Sequence, residues 1–238
     1  MHIYRFPPII LQACIYLVTR VIFTVFGRLE IHGREHLEEL PARIIFAANH
    51  SSEWDGPLIR SVLPFFSRFS PMYYVARPMG FYTGTGWRQY LYGGFIFKLL
   101  GAYPAYSGKK DYAFSLQNHI AIINEGRTLC IFPEGKVRLE KGFGEGHGGV
   151  AFLSSYCDAT VIPVAIAGIK KLSFADVILR RRNVTVRFGT PISSKEIVPQ
   201  TRPTIEDYKA GAALVMERIG KLLYEPSVAV TEFQYVRS

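Results

Sequence analysis

Apolar positions recur along this chain with two periods, one typical of strands and one typical of helices. Seven short runs rich in β-branched and aromatic residues are predicted to be strands: Arg28–His32, Arg43–Ala48, Met72–Ala76, Ala102–Tyr106, Thr128–Phe132, Val161–Ala167 and Val184–Phe188. Five other segments have apolar residues at helical spacing: Pro57–Ser67, Arg88–Leu100, Asp111–Asn124, Gly149–Cys157 and Ile205–Tyr224. Strands that alternate with helices predict an α/β fold, with a mostly parallel central sheet of about seven strands covered by helices.

The stretch from Pro8 to Gly27 is almost entirely apolar, with arginines at positions 5 and 28 on either side of it. Its length is near the ~20 residues that a spanning helix needs. Arg20 inside it would cost about 2.5 to 3.5 kcal/mol at the centre of a bilayer, whereas a helix lying in one leaflet avoids most of that cost. We therefore expect an N-terminal membrane-associating helix; a true span and a core helix of a soluble protein remain alternatives.

The chain has 28 basic and 19 acidic residues, a formal charge of +9, so an anionic partner is expected. Anionic lipid, a phosphate-bearing cofactor and nucleic acid all qualify, but no nucleic-acid recognition motif accompanies the basic run 180–182. Cys14, Cys130 and Cys157 have apolar neighbours and are expected to be reduced, as in a cytoplasmic protein. No Cys or His pair falls at ligand spacing, so we expect no metal.

A histidine and an aspartate follow the predicted strand that ends at Ala48. The sequence there reads NHSSEWD, which places His50 just past the strand and Asp55 five residues later, near the start of the next helix. A turn between them would fold the carboxylate back onto the imidazole, as a general base requires. The pair is a short motif, and Ser51, Ser52 or Asp55 could equally cap a helix.

A second cluster follows the predicted strand that ends at Phe132. It contains Glu134, Lys136 and Arg138, and a carboxylate with two cations suits an anionic ligand that bears a hydroxyl. An ordinary solvated turn is the alternative, since Pro-Glu-Gly forms turns readily. Chemistry gathers beyond the carboxyl ends of strands in parallel sheets, so the loops after Ala48 and Phe132 are predicted to form the site.

Four blocks together resemble the glycerolipid acyltransferase family, typified by the 1-acylglycerol-3-phosphate acyltransferases. The family motif NHxSxxD matches Asn49, His50, Ser52 and Asp55, and its FPEG motif matches Phe132, Pro133, Glu134 and Gly135. VIPVAIAG at 161–168 is similar to the closing Val-Pro-Val strand, and GHGGVAFL at 146–153 to the glycine-rich helix start. Four blocks in the family's order are far more specific than any one of them.

The resemblance implies that His50 deprotonates an acceptor hydroxyl, which attacks an acyl thioester of coenzyme A or acyl carrier protein, while Asp55 orients the imidazole. The acceptor would be a lysophospholipid, most simply 1-acylglycerol-3-phosphate, giving phosphatidate, with no cofactor beyond the thioester co-substrate. Residues 1–27 would form the membrane-associating helix and 28–238 the acyltransferase domain. The expected partners are membrane lipid, at the cytoplasmic face, and the thioester carrier. A thioesterase and a non-catalytic membrane-binding protein are the remaining alternatives.

The departures from the family pattern concern the acceptor. Where the family commonly reads FPEGTRS this chain reads FPEGKVR, so Val137 replaces an arginine, and Ser107 stands where another arginine binds phosphate. Nearby cations could replace both arginines, and the predicted substrate-binding residues are therefore Glu134, Gly135, Lys136, Arg138, Lys109 and Lys110. A different, non-glycerophosphate lipid acceptor is the alternative.

Overall fold

A computed structural model describes residues 7–78, 80, 83–84, 95–106, 111–137, 144–170, 176, 179 and 182–224. Seven strands form one sheet: β1 (Leu29–His32), β2 (Ile44–Ala48), β3 (Met72–Ala76), β4 (Ala102–Pro104), β5 (Thr128–Ile131), β6 (Thr160–Ala167) and β7 (Val184–Phe188). Their order is β1-β7-β6-β2-β5-β3-β4, and every neighbouring pair is parallel except the antiparallel β6 and β7. The predicted α/β fold with a mostly parallel seven-stranded sheet is confirmed.

The described helices are α1 (Pro7–Val21), α2 (Asp55–Val62), α3 (Phe95–Leu99), α4 (Tyr112–Ser115), α5 (Gln117–Asn124), α6 (Gly149–Cys157), α7 (Ser194–Ile197) and α8 (Ile205–Tyr224). A π-helical turn, Ile22–Phe26, extends α1, and Arg34–Leu37 forms a 3-10 turn. The prediction that α2 reaches Ser67 was wrong. Leu63 is extended because Pro64 follows it, and a residue before proline disfavours helix.

Both faces of the sheet are buried, as β2 shows most clearly. Ile45 and Ala47 belong to a core beneath α5, α6 and α8, whereas Ile44, Phe46 and Ala48 belong to a second core beneath α2. Every residue of β2 is buried because successive side chains point to opposite faces and helices cover both. β2 therefore holds the loop that follows it on a rigid base.

Helix α1 packs one face onto the domain through buried polar contacts. The Gln12 amide donates to the Met72 carbonyl oxygen at 2.5 Å and accepts from the Met72 N–H at 3.0 Å. The Tyr16 hydroxyl donates to the Leu63 carbonyl oxygen at 3.2 Å. Arg20 donates to the Ser61 carbonyl oxygen at 2.9 Å, so this arginine lies toward α2 rather than on the outer face.

The outer face of α1 and its π-helical turn is apolar. Its exposed large residues are Ile9, Ile10, Leu17, Val18, Val21 and Val25, and none of the exposed residues that the structure describes between 8 and 26 is charged. The segment Pro8–Phe26 is long and apolar enough to cross a membrane, with a mean hydropathy of 2.1. A helix on the surface of a soluble protein normally places charged residues on such a face, so α1 has the surface of a helix that contacts lipid.

Candidate active site

The loops after β2 and β5 meet because these two strands are neighbours in the sheet. Asn49, the first residue beyond β2, donates its side-chain amide to the Ile166 carbonyl oxygen at 3.0 Å and accepts from the Ile166 N–H at 2.8 Å. Asn49 thus continues the pairing of β2 with β6 by one residue through its side chain. These two hydrogen bonds hold the main chain in place up to the residue before His50.

Asp55 is the first residue of α2 and is completely buried, with an exposed fraction of 0%. Its Oδ2 lies 2.8 Å from His50 Nδ1. The same oxygen accepts the N–H groups of Ser51 at 2.6 Å and Ser52 at 2.9 Å, while Oδ1 accepts the Ser51 hydroxyl at 3.3 Å. The loop between the two residues therefore wraps around the carboxylate, which explains their spacing of five.

The hydrogen bonds around Asp55 fix the tautomer of His50. Oδ2 already accepts two main-chain N–H groups, so the short contact to Nδ1 requires that the imidazole nitrogen carry the proton. The other nitrogen, Nε2, then has a free lone pair. Because the His50 side chain is 21% exposed and lines a cavity, that nitrogen can accept a proton from a ligand.

The turn after β5 contacts His50 at two points. The Phe132 ring stacks on the imidazole with 4.2 Å between ring centroids and an interplanar angle of 17°. The Glu134 Oε1 accepts the His50 main-chain N–H at 3.0 Å, and its Oε2 accepts the Gly144 N–H at 3.3 Å. The FPEG turn thus holds the histidine by its ring face and by its backbone.

Gly135 lets this turn reverse direction. Its φ of +66° is a conformation that favours glycine, and an added Cβ would lie 2.9 Å from Cδ2 of His147. Arg77, just past β3, donates Nε to the Gly135 carbonyl oxygen at 2.6 Å. Arg77, Lys136 and His147 line the same cavity as His50, so three basic side chains share the cavity with this histidine.

This cavity has a volume of about 1310 Å³ and follows β3 through Tyr74, Val75 and Ala76. It extends from the basic side chains at the carboxyl end of β3 to α1, where Gln12 and Tyr16 form its wall. The three residues of β3 that line the cavity rise about 10 Å at about 3.3 Å each. The wall also includes the apolar side chains of Ile15, Phe97, Leu100, Leu116 and Ile131.

Residues 28–167 match the family model described as Acyltransferase. The chain belongs to this family and is an acyltransferase. The match contains His50, Asp55 and the FPEG turn, together with strands β1 to β6. The resemblance inferred from the four sequence blocks is confirmed.

The acyltransferase also has a similar solved structure, the crystal structure of the 1-acyl-sn-glycerophosphate (LPA) acyltransferase PlsC from Thermotoga maritima. The TM-score is 0.57 at 18% sequence identity, and the similarity covers 89% of this chain and 79% of that chain. At this identity the likeness shows the shared fold.

Several titratable groups of the acyltransferase near the site are buried. Burial, with a smaller contribution from the charge of Asp55, raises the pKa of the Cys130 thiol. Burial also raises the pKa of Tyr74, whose hydroxyl donates to the Gly56 carbonyl oxygen at 3.1 Å. Arg60 donates to the carbonyl oxygens of Pro64 and Phe65, at 3.3 and 2.9 Å. The Tyr74 hydroxyl and the Arg60 guanidinium are thus both bonded to main-chain carbonyl oxygens.

The structure brings together five of the predicted site residues: His50, Asp55, Glu134, Gly135 and Lys136. Lys109, Lys110 and Arg138 lie outside the described residues, as does Ser107, so their predicted roles stay predictions.

Sequence reasoning missed Arg77 and His147. Arg77 directly follows a strand, as His50 does, and this position was the signal that could have identified it. His147 gave no comparable signal, because it reaches the cavity only through the fold of the loop before α6.

Proposed function

We propose that this acyltransferase moves a fatty acyl group from a thioester of coenzyme A or acyl carrier protein to the hydroxyl of a lysophospholipid. The acceptor proposed is 1-acylglycerol-3-phosphate, and the product is phosphatidate. The observation that supports this reaction best is His50, a histidine with a buried carboxylate behind Nδ1 and its other nitrogen beside a long, largely apolar cavity.

Nε2 of His50 takes the proton of the acceptor hydroxyl while that oxygen attacks the thioester carbonyl carbon. The tetrahedral adduct collapses, the carbon–sulfur bond breaks, and the imidazolium returns the proton to the departing thiolate. Asp55 stabilises the imidazolium throughout, and general-base assistance of this kind contributes about 10² to 10⁴ in rate.

The cavity fits a long acyl chain. Its volume of about 1310 Å³ exceeds the roughly 300 to 1,000 Å³ typical of pockets for drug-sized ligands. An acyl chain that follows β3 from His50 toward Gln12 would lie against the side chains of Val75, Ala76 and Leu100. The reacting carbonyl would then lie at the His50 end, close to the basic residues.

The basic side chains support an anionic acceptor. Lys136 is exposed at the cavity rim, and Arg77 and His147 line the same region. A phosphate binds best where several donors and positive charges converge, and this rim supplies them in place of the missing family arginine. Val137 also lines the cavity, and this apolar residue favours the second candidate, an acyltransferase for a non-glycerophosphate lipid.

The apolar outer face of α1 supports attachment to a membrane. Polar contacts of Gln12, Tyr16 and Arg20 direct the opposite face toward the domain, so α1 lies along the protein as a monotopic helix would. Gln12 and Tyr16 also line the cavity, so lipid substrates would enter close to the attached face. We propose that this face contacts the cytoplasmic leaflet of the membrane.

An acceptor panel tests the function. Purified protein in vesicles receives one labelled acyl thioester with 1-acylglycerol-3-phosphate, lysophospholipids that have other headgroups, an uncharged monoacylglycerol, or no acceptor. The proposal predicts fastest transfer to 1-acylglycerol-3-phosphate and little hydrolysis without acceptor. Faster transfer to the uncharged lipid would support the second candidate, and acceptor-independent hydrolysis at the same rate would identify a thioesterase.

A further inference from the structure

The Glu134 carboxylate is directed toward the main chain of two loops rather than toward the cavity. It is 6% exposed, and its two oxygens accept the N–H groups of His50 and Gly144 at 3.0 and 3.3 Å. Its neighbours Pro133, Gly135 and Lys136 line the cavity, whereas Glu134 is not part of the wall that the described residues form. A carboxylate that contacted the acceptor would need an oxygen at that wall.

The contacts around Glu134 connect the base to the loop before α6. The Pro133 carbonyl oxygen accepts the His147 N–H at 2.9 Å, close to the bond between Glu134 and Gly144. The FPEG turn is thereby joined to residues 144–147 at two points and to His50 at its N–H and its ring face. One turn sets the position of the base and of the rim residue His147 together.

We propose that Glu134 is a positioning residue for His50 and not a ligand of the acceptor. Asp55 fixes the ring through Nδ1, and Glu134 fixes the backbone to which the ring is attached. The proposal rests on His50 being the general base. It replaces the substrate contact predicted for Glu134 from sequence.

Kinetics of Glu134→Gln separate the two roles. The amide keeps the shape of the side chain and can accept one N–H, but it presents an NH₂ group to the other. A hydrogen bond to a charged group contributes about 1.5 to 3 kcal/mol, which corresponds to roughly 10- to 150-fold. We expect kcat to fall by that factor, with the KM of the acceptor and of the thioester unchanged within about threefold.

Two variants in the same region serve as controls. Lys136→Met removes a rim cation and is expected to raise the acceptor KM about tenfold or more with a smaller effect on kcat. Glu145→Gln removes an exposed carboxylate next to Gly144, and all kinetic constants should stay within about twofold of wild type. A rise in acceptor KM for Glu134→Gln like that of Lys136→Met, with kcat unchanged, overturns the proposal.

A spectroscopic measurement distinguishes positioning of His50 from a general loss of structure. The chain has 6 histidines, so labelling with ¹⁵N-histidine gives few backbone amide signals, and a His50→Gln sample assigns the relevant one. We expect the His50 amide proton of Glu134→Gln to move upfield while the other histidine amides keep their positions. An unchanged His50 amide signal contradicts the proposal.

The wild-type protein supplies a test that needs no stable variant. The His50 N–H that is bonded to Glu134 should exchange with solvent at least about tenfold more slowly than an unstructured amide, and exchange at the free rate overturns the proposal. The exchange rate of the His50 amide does not depend on whether the proposed acyl transfer is correct. If His50→Gln retains full transfer activity the proposed mechanism fails, whatever the amide measurement shows.

Discussion

Replacement of Asp55 by asparagine should remove the charge behind His50 while leaving the loop intact. One atom, Oδ2, accepts the Ser51 N–H, the Ser52 N–H and the contact from His50 Nδ1. An asparagine whose amide oxygen takes this place keeps all three bonds, and its NH₂ group then faces the Ser51 hydroxyl, which can accept. The substitution therefore changes the electrostatics of the base more than its geometry.

The size of the effect follows from Coulomb's law. With Nδ1 and Oδ2 at 2.8 Å, the charge centres of imidazolium and carboxylate are about 4 Å apart. At an effective dielectric constant of about 20 their attraction is about 4 kcal/mol. This attraction exists only when the base holds a proton, so its loss raises the barrier by that amount and lowers kcat about 10³-fold.

The assay is steady-state transfer of a labelled acyl group, with KM measured for both substrates. Asp55→Asn should lower kcat about 10³-fold and leave both KM values within a few-fold. Asp207→Asn is a matched control, because the Asp207 carboxylate also accepts an N–H, that of Thr204 at 2.7 Å, at the start of α8. A kcat of Asp55→Asn within tenfold of wild type would refute the role assigned to this carboxylate.

The remaining predictions concern membrane contact and pH. Burial raises the pKa of Cys130 and Cys157, the latter to about 11, so a maleimide at pH 7 should label the exposed Cys14. Vesicles should slow the labelling of Cys14 at least fivefold, because α1 would then contact lipid. Equal labelling rates with and without vesicles would contradict that contact. Burial lowers the pKa of His119 to about 4, so between pH 6.5 and 4 the unfolded chain binds a proton that the folded chain does not. The free energy of unfolding therefore decreases as the pH falls through this range, by up to about 3 kcal/mol. In His119→Gln the drop in Tm between pH 7.5 and 5 should be smaller than in wild type by about 4 to 8 °C, and an equal drop would show that His119 is not the cause.

The strands were predictable because their apolar, β-branched runs are buried on both faces of the sheet. β2 and β5 are buried throughout, and the predicted ranges contain them to within one residue at each end. Helix boundaries were harder, since they depend on local bonds that composition does not show. The predicted helix Asp111–Asn124 is divided at Leu116 into α4 and α5. At the start of α8, by contrast, the side chains of Thr204 and Asp207 each accept the main-chain N–H of the other, and the predicted bounds Ile205–Tyr224 are confirmed.

The residues of the site were easier to predict from the sequence than the directions in which their side chains point. Two loops at the carboxyl ends of neighbouring strands were expected to meet, and the structure brings His50 and Glu134 within one hydrogen bond. The sequence could not show that Glu134 faces the backbone, because the direction of a side chain in a turn depends on the positive φ of Gly135 and on the loop packed beside it. Arg77 reaches the site because it directly follows β3, which pairs with β5 in the sheet.

Substitution of His50 by glutamine tests the central claim most directly. Glutamine is of similar size and can bond to Asp55, but it cannot accept a proton from the acceptor hydroxyl. Wild type and variant are compared for transfer of a labelled acyl group to 1-acylglycerol-3-phosphate in vesicles, at equal folded protein and saturating substrates. The account predicts that His50→Gln forms phosphatidate at least about 10³-fold more slowly, whereas transfer at the wild-type rate would contradict His50 as the general base.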